Sequence, residues 1–311
     1  MSGVLTLGET MAALRTEAPL RLGGPARLSV AGSESNVAIG LARLGHRADW
    51  LGVVGADQPG ELVLRTLRAE GVGLRYARTT ADAATGFIAF DRAARDVTRV
   101  SYHRRGSAGS TLTAAEAEAA VAGCAPERVH LTGITPALSG TAGAAVLAAA
   151  RTARTVGARV SLDVNYRARL WSRAEAAAAL RALLPLVDTV FASEDELDLL
   201  TSAEDAVPAL LAAGVPEVVV TAGAAGARAH TPGRSHVRAA AATTVADSIG
   251  AGDAFVAGYL SAALDGLPVG ERLARGVVAG AFCVGGHGDW ESLPTRADLA
   301  LLAHGDGTAL R

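Results

Sequence analysis

The 311-residue sequence predicts an α/β protein with a doubly wound, mostly parallel sheet flanked by helices and a small antiparallel sheet beside it. Along most of the chain, short β-branched runs alternate with longer amphipathic stretches, which is typical of a parallel sheet covered by crossover helices. In two segments, 14–30 and 86–102, apolar residues recur instead with a period of two, and no crossover helix fits between neighbouring runs. These two segments therefore predict antiparallel strands.

The predicted strands of the main sheet are short apolar runs between turn residues. They are 4–7, 50–54, 128–131, 159–163, 189–191 and 217–221. The predicted helices are longer, and Gly45 and Gly71 mark the ends of the first two. They are 36–44, 60–69, 141–156, 173–184, 203–213, 254–264 and 271–282.

No internal repeat, low-complexity linker or charge run divides the chain, which predicts a single catalytic domain over residues 1–311. The segments at about 12–31 and 84–104 leave the order of the main sheet and return to it, so we expect them to form a lid subdomain. An open face on a small sheet has to be covered. This predicts a homodimer or a higher homo-oligomer that forms through the lid.

Composition and charge exclude several partners. With 29 basic and 31 acidic residues, the formal net charge is -2, so no excess of cations is present to neutralise nucleic-acid phosphates or a membrane surface. Cys124 and Cys283 are too few for a disulfide framework or a Cys-rich metal site, and a reducing cytoplasm is the simplest compartment. Every long apolar stretch is interrupted, so we expect no membrane-spanning segment.

The chain contains no lysine, and all its basic residues other than histidine are arginine. P-loop nucleotide sites, protein kinases and PLP enzymes all need a lysine, so these chemistries are excluded. The seven histidines do not recur at the spacing of a helical metal site. A dinucleotide-binding G-x-G-x-x-G motif and a G-x-S-x-G nucleophile elbow are also missing.

A glycine-rich segment, 247–255, directly precedes a predicted apolar helix. Gly250 and Gly252, with Ala251 between them, allow backbone amides to face a ligand at the helix N terminus, where unpaired N–H groups favour an anion such as phosphate. Asp253 lies in the first turn and could accept a proton from a hydroxyl that attacks phosphorus. The alternative is that Asp253 only stabilises the helix dipole and the glycines only form a turn.

This segment, D-S-I-G-A-G-D at 247–253, resembles the second signature of the ribokinase-like (PfkB) carbohydrate kinase family. The stretch 31–45 resembles the family's first glycine-rich segment, with Asn36 at the matching asparagine. The resemblance covers essentially the whole chain. It implies a ribokinase-like fold with a β lid, and transfer of the ATP γ-phosphate to a sugar hydroxyl without a P-loop lysine. Asp253 would be the base, and Gly250, Ala251 and Gly252 would form the anion hole.

Within the family, segments 8–9, 102–108, 131–138 and 161–167 are most similar to 2-keto-3-deoxygluconate kinases. In those enzymes, the residues matching Tyr102, Arg104 and Arg167 are associated with the acid substrate, and a guanidinium group binds a carboxylate bidentately. The alternative is that Arg104 is a solvated strand end and Arg167 a helix-surface charge. The implied substrate site consists of Gly32, Asn36, Tyr102, Arg104, Ile134, Arg167 and Asp253.

The resemblance also implies a nucleotide site with ATP and Mg2+ as cofactors. The stretch 221–226 resembles the family's nucleotide-phosphate loop, and 193–196 resembles the N-x-x-E segment whose glutamate supports magnesium through water. The alternative for 193–196 is a helix N-cap serine followed by carboxylates in the first turn. The implied nucleotide residues are Asn165, Ser193, Thr221, Gly223, Gly226, Gly250 and Gly252, with Glu196 for the metal.

The expected function is therefore the ATP-dependent phosphorylation of a sugar-acid hydroxyl, with 2-keto-3-deoxygluconate converted to its 6-phosphate. Three alternatives stay open: a fructokinase or another sugar kinase of the family, a nucleoside kinase, and a non-catalytic sugar-binding homologue. The last of these would have lost Asp253 or its glycines, which this chain retains.

Overall fold

The computed structural model describes residues 3–94, 97–241 and 243–303. The main sheet has the spatial order β14-β13-β12-β11-β10-β9-β1-β4. The six strands from β12 to β4 run parallel, and the pairs β12-β13 and β13-β14 are antiparallel. These strands are β1 (Gly3–Leu7), β4 (Arg47–Leu51), β9 (Arg128–Thr132), β10 (Arg159–Asp163), β11 (Thr189–Ser193), β12 (Glu217–Thr221), β13 (Ala227–Thr231) and β14 (Arg234–Arg238). The predicted α/β fold class is confirmed.

A second sheet has four strands in the order β3-β2-β7-β8. They are β2 (Met11–Thr16), β3 (Ala26–Ala31), β7 (Phe87–Ala94) and β8 (Val97–His103). Each hairpin is antiparallel as predicted, but β2 and β7, which join the two hairpins, are parallel. The four strands lie within the predicted lid segments to within one residue, except that residues 95 and 96 lie outside the described ranges.

Helices cover the main sheet. They are α1 (Ser33–Arg43), α2 (Gln58–Ala69), α3 (Ala114–Cys124), α4 (Gly140–Thr155), α5 (Arg173–Leu183), α6 (Leu197–Leu200), α7 (Ala206–Ala212), α8 (Ala251–Leu264) and α9 (Val269–Val284).

The prediction of one domain over 1–311 stays a prediction, and residues 1, 2 and 304–311 lie outside the described part. Across the described ranges, no helix is long and apolar enough to cross a membrane.

The parallel strands are buried on both faces, which is why they read as continuous apolar runs rather than alternating ones. Leu5 and Leu7 of β1 pack into one core cluster with α3, α4 and α5, whereas Val4 packs into another with α1, α2, α8 and α9. Two hydrophobic layers therefore hold the sheet in a fixed position, with its strand ends turned toward the small sheet.

One predicted strand, 50–54, is wrong because the chain breaks at Gly52. Its first part belongs to β4, and the second forms β5 (Val53–Gly55), which pairs with β6 (Arg78–Thr80) in a separate two-stranded sheet. A Cβ atom at Gly52 would collide with the Trp50 ring and with the backbone of Gly8. Only glycine allows the chain to pass so close to both.

Several elements were not predicted although the sequence contains a signal for them. Helix α3 begins with a capping box in which Thr113 and Glu116 bond each other's backbone N–H. The hairpin of β13 and β14 turns at Pro232-Gly233, where Gly233 has a φ of 76°. Both signals are local, and neither lies in a long apolar run, which is the pattern that predicted the other elements.

Candidate active site

A cavity of about 390 Å³ lies between the carboxyl ends of the parallel strands and one face of the small sheet. Asp163, Ser193 and Thr221 end β10, β11 and β12 and line one side of the cavity. Phe90 and Tyr102 from β7 and β8 line the opposite side. Ligands of open α/β sheets bind at this end of the strands, so the small sheet is placed to cover a bound ligand.

Asp253 lies in the first turn of α8 and is 9% exposed. The Ser33 hydroxyl donates to its Oδ1 at 2.6 Å, and the Asn36 amide donates to its Oδ2 at 2.8 Å. Burial raises the pKa of Asp253 above its usual value, while the bonds from Ser33 and Asn36 act in the opposite direction. Both carboxylate oxygens are thus held from the first turn of α1.

Gly250 is the N-cap of α8 and has a φ of 77°, a left-handed conformation that favours glycine. A Cβ atom there would also collide with the carbonyl oxygen of Asp289. No side chain caps the helix at Gly250, and a Cβ atom at Gly252 would meet only open space. Gly250 and Gly252 line the cavity and Ala251 does not, so Ala251 could contribute only its backbone N–H. The loop and helix end fit a phosphate group.

Two aspartates that the sequence analysis did not assign also line the cavity. Burial, together with the charges of Glu196 and Asp253, raises the pKa of Asp163 to about 8. Burial and the charge of Asp253 raise the pKa of Asp289 to about 7. Such a group of mutually repelling carboxylates is typical of sites that receive a cation or a proton. The D-x-N spacing of Asp163 and the rare Asn165 was the signal available for the first of them.

The proposed metal residue, Glu196, lines the cavity in the turn after β11. Its Oε1 accepts the Tyr166 N–H at 2.7 Å and its Oε2 accepts the Ser193 N–H at 2.9 Å. Ser193 and Glu196 form a capping box and also line the cavity, so the capping role expected as the alternative is compatible with a position in the site. Over 3–94, 97–241 and 243–303, no three His, Cys, Asp or Glu side chains are grouped to hold a metal. One or two carboxylates, with water and phosphate, suit Mg2+, so these residues fit it.

The other predicted nucleotide residues divide into two groups. Asn165 and Thr221 line the cavity, and the Oδ1 of Asn165 has no hydrogen-bond partner among the residues that the structure describes. Gly223 and Gly226 do not line it. Gly226 has a φ of 98°, and a Cβ atom there would collide with the backbone at Arg238. Packing against the β14 end therefore accounts for that glycine, and a nucleotide role for Gly223 and Gly226 stays a prediction.

All the predicted sugar-side residues line the cavity: Gly32, Asn36, Tyr102, Arg104, Ile134 and Arg167. Arg104 is 8% exposed, so the alternative that it is a solvated strand end is wrong. Its Nε and one terminal nitrogen lie 2.6 Å from Oε2 of Glu9, and Ser107 donates to Oε1 of Glu9. The sequence analysis included Glu9 in segment 8–9 but did not predict its ion pair with Arg104, because the two residues are 95 positions apart.

Arg167 differs from Arg104 in its surroundings. It is exposed at the cavity edge, and the described part of the chain offers it no carboxylate within ion-pair distance. Its Nη1 donates to the backbone oxygen of Tyr166 at 3.2 Å. The site therefore contains one arginine whose charge is already balanced and one whose charge is available.

Residues 1–296 match the model of the pfkB family of carbohydrate kinases. The chain belongs to that family. This carbohydrate kinase is 36% identical over 307 residues to 2-dehydro-3-deoxygluconokinase of Bacillus subtilis (strain 168), which covers 95% of this chain and 94% of the relative. It is 33% identical over 280 residues to a fructokinase of Escherichia coli, covering 86% and 90% of the two chains.

A solved E. coli structure described as a candidate ribokinase II, in complex with ATP and Mg2+, superimposes with a TM-score of 0.89. The two chains are 23% identical, and the match covers 97% of this kinase and 99% of the other, which shows that they share the fold. The resemblance inferred from the two glycine-rich segments is therefore confirmed.

Proposed function

We propose that this kinase phosphorylates the terminal hydroxyl of 2-keto-3-deoxygluconate, using ATP and Mg2+, to give the 6-phosphate. One observation carries the proposal: Arg104 and Arg167 line the same cavity as Asp253 and the N terminus of α8. A single sugar acid could then meet the arginines with its carboxylate and Asp253 with its far hydroxyl. The B. subtilis relative, named for the same sugar acid, supports this choice.

In the proposed reaction, the carboxylate of Asp253 accepts the proton of the sugar hydroxyl as its oxygen attacks the γ-phosphorus. The bond from that phosphorus to the β–γ bridging oxygen breaks, and ADP leaves with that electron pair. Backbone N–H groups at Gly250 to Gly252 stabilise the charge on the transferring phosphoryl group. Mg2+ neutralises phosphate charge when bound, and Glu196 would hold it through water beside Asn165, Ser193 and Thr221.

The two arginines have different proposed roles. Glu9 balances the charge of Arg104 and occupies its Nε and one terminal nitrogen. Arg104 would therefore orient the substrate carboxylate through its other terminal nitrogen, without adding net positive charge to the site. Arg167 supplies the positive charge that a substrate carboxylate needs. A neutral sugar would leave Arg167 without its partner, which is the basis for discrimination.

A fructokinase is the second candidate, and the E. coli fructokinase relative favours it. A coupled ATP-consumption assay on the purified protein separates the two, with 2-keto-3-deoxygluconate, gluconate, fructose, ribose and adenosine as substrates. We expect the highest kcat/KM with 2-keto-3-deoxygluconate. Equal or higher efficiency with fructose would replace the sugar-acid proposal by the fructokinase, and activity on adenosine alone would replace both.

We further propose that the small sheet is the lid of a single catalytic domain and that two lids pair in a homodimer. Leu28 on β3 is 58% exposed, which is unusual for a large apolar side chain on a sheet. Light scattering should give twice the chain mass for the wild type and the monomer mass for Leu28→Glu. Val237→Glu, at an exposed position on β14, is the matched control and should stay dimeric. A monomeric wild type at micromolar concentration would contradict the proposal.

The proposed compartment stays the cytoplasm. Cys124 and Cys283 are both buried and unpaired, as expected for a chain that does not depend on disulfides.

A further inference from the structure

The Ser33 side chain connects two parts of the cavity wall. Ser33 is the first residue of α1 and is 8% exposed. Its Oγ donates to Oδ1 of Asp253 at 2.6 Å and accepts a hydrogen bond from Nδ2 of Asn165 at 3.0 Å. Nδ2 of Asn165 also donates to Oδ2 of Asp163 at 2.9 Å. Four side chains from three separate segments of the chain thus form one continuous series of hydrogen bonds.

The direction of this series follows from the donors and acceptors that each group has. An amide nitrogen can only donate, and its two hydrogens are used by Ser33 and Asp163. The Ser33 oxygen is therefore the acceptor toward Asn165, and its single hydrogen is left for Asp253. Asn165 is itself held in place by a left-handed backbone, with a φ of 42°, which asparagine tolerates. The Ser33 O–H consequently donates to Oδ1 of Asp253 and to no other group in this series.

Helix capping does not account for this serine. A serine at a helix start usually caps by accepting a backbone N–H of the first turn. In α1, the N-cap is Gly32, no side chain caps the helix, and both recorded bonds of the Ser33 hydroxyl are to side chains of the cavity wall. Ser35, two residues on, shows the ordinary local role, since its hydroxyl bonds only the carbonyl oxygen of Gly32.

We infer that Ser33 is a positioning residue for the reaction: its hydroxyl orients the carboxylate of Asp253 and stabilises the ionised form that accepts the substrate proton. This inference rests on the proposed role of Asp253 as the base. Asn36 holds the other oxygen from the same helix turn, so the carboxylate cannot rotate. Without the Ser33 hydroxyl, Oδ1 of Asp253 loses its donor, and Asn36 alone holds the carboxylate through Oδ2.

Loss of the Ser33 hydroxyl should change the protonation of Asp253. The charged or titratable groups whose fields couple to Asp253 are Asp163, Asp289, Cys283 and Arg167. Burial and the two neighbouring carboxylates favour the neutral form, whereas Arg167 and the donors Ser33 and Asn36 favour the charged form. Without the Ser33 hydroxyl, the pKa of Asp253 should rise, and less of the base is ionised at a given pH.

The test compares wild type, Ser33→Ala, Ser33→Thr and Ser35→Ala. The pH dependence of kcat/KM for the sugar acid is measured at saturating ATP and Mg2+, and the Asp253 carboxyl is titrated by ¹³C NMR, assigned from the signal lost in Asp253→Asn. We expect Ser33→Ala to move the acid limb and the NMR midpoint upward by about one pH unit, which is about tenfold in kcat/KM on the acid side. Ser33→Thr keeps the hydroxyl, so its acid limb and NMR midpoint should equal those of the wild type. Ser35→Ala should leave both quantities unchanged.

The outcomes separate the two proposals. If the wild type phosphorylates no sugar of the panel, the proposed function fails, and the NMR titration still decides whether Ser33 stabilises the Asp253 carboxylate. If the wild type is active and a folded Ser33→Ala leaves the acid limb and the NMR midpoint unmoved, the inference on Ser33 is overturned and the function stands. Should Ser33→Ala not fold, Ser33→Cys, a weaker donor of similar size, must show a smaller upward shift, and no shift overturns the inference.

Discussion

Replacing Asp253 with Asn is expected to lower kcat by ~10²-fold or more, because the amide cannot accept the proton of the attacking hydroxyl. The change keeps the shape of the side chain, so the α8 N terminus and ATP binding should be largely retained. The amide also has one acceptor oxygen for the two donors, Ser33 and Asn36, that now hold the carboxylate.

The measurement is kcat in the coupled assay, with ATP affinity determined separately by calorimetry. Asp82→Asn, at an exposed loop position, is the control and should have wild-type kcat. Near-normal turnover in a folded Asp253→Asn variant would remove Asp253 as the base. A loss of both turnover and ATP binding would instead assign it to nucleotide binding.

Replacing Arg167 with Ala is expected to reduce kcat/KM for 2-keto-3-deoxygluconate far more than for fructose. A charge-assisted hydrogen bond contributes about 1.5–3 kcal/mol, so the preference for the acid should shrink by about tenfold to a hundredfold. Arg167→Lys should recover only part of it, because an ammonium group cannot form the planar two-bond contact with a carboxylate. The ratio of the two kcat/KM values is the quantity to measure.

Arg167 is a cleaner probe than Arg104 for a structural reason. Removing Arg104 would leave the carboxylate of Glu9, which is 1% exposed, without its counter-charge, and such a change destabilises the protein whatever it does to the substrate. Arg151→Ala, on the exposed face of α4, is the matched control and should leave the ratio unchanged. If Arg167→Ala lowered both efficiencies equally, Arg167 would not bind the substrate carboxylate.

How much of the molecule the sequence predicts depends on how local each feature is. The apolar periodicity is local, so the mostly parallel sheet and the segments of the small sheet were predicted correctly. The turn from Gly250 into α8 is likewise specified by seven adjacent residues, and the structure places Asp253 in the first turn of that helix. The break at Gly52 was missed because it depends on Trp50 folding back against the chain.

By itself, the sequence determined the family, the fold class and the helix end at which Asp253 lies, because each rests on neighbouring residues or on a fixed period. Only the tertiary structure decided which groups surround Asp253. It brought Ser33 to that carboxylate across 220 positions and Glu9 to Arg104 across 95. Burial and the neighbouring carboxylates then raised the pKa values of Asp163 and Asp289. Desolvation and hydrogen bonding act through space, so the order of residues along the chain does not reveal them.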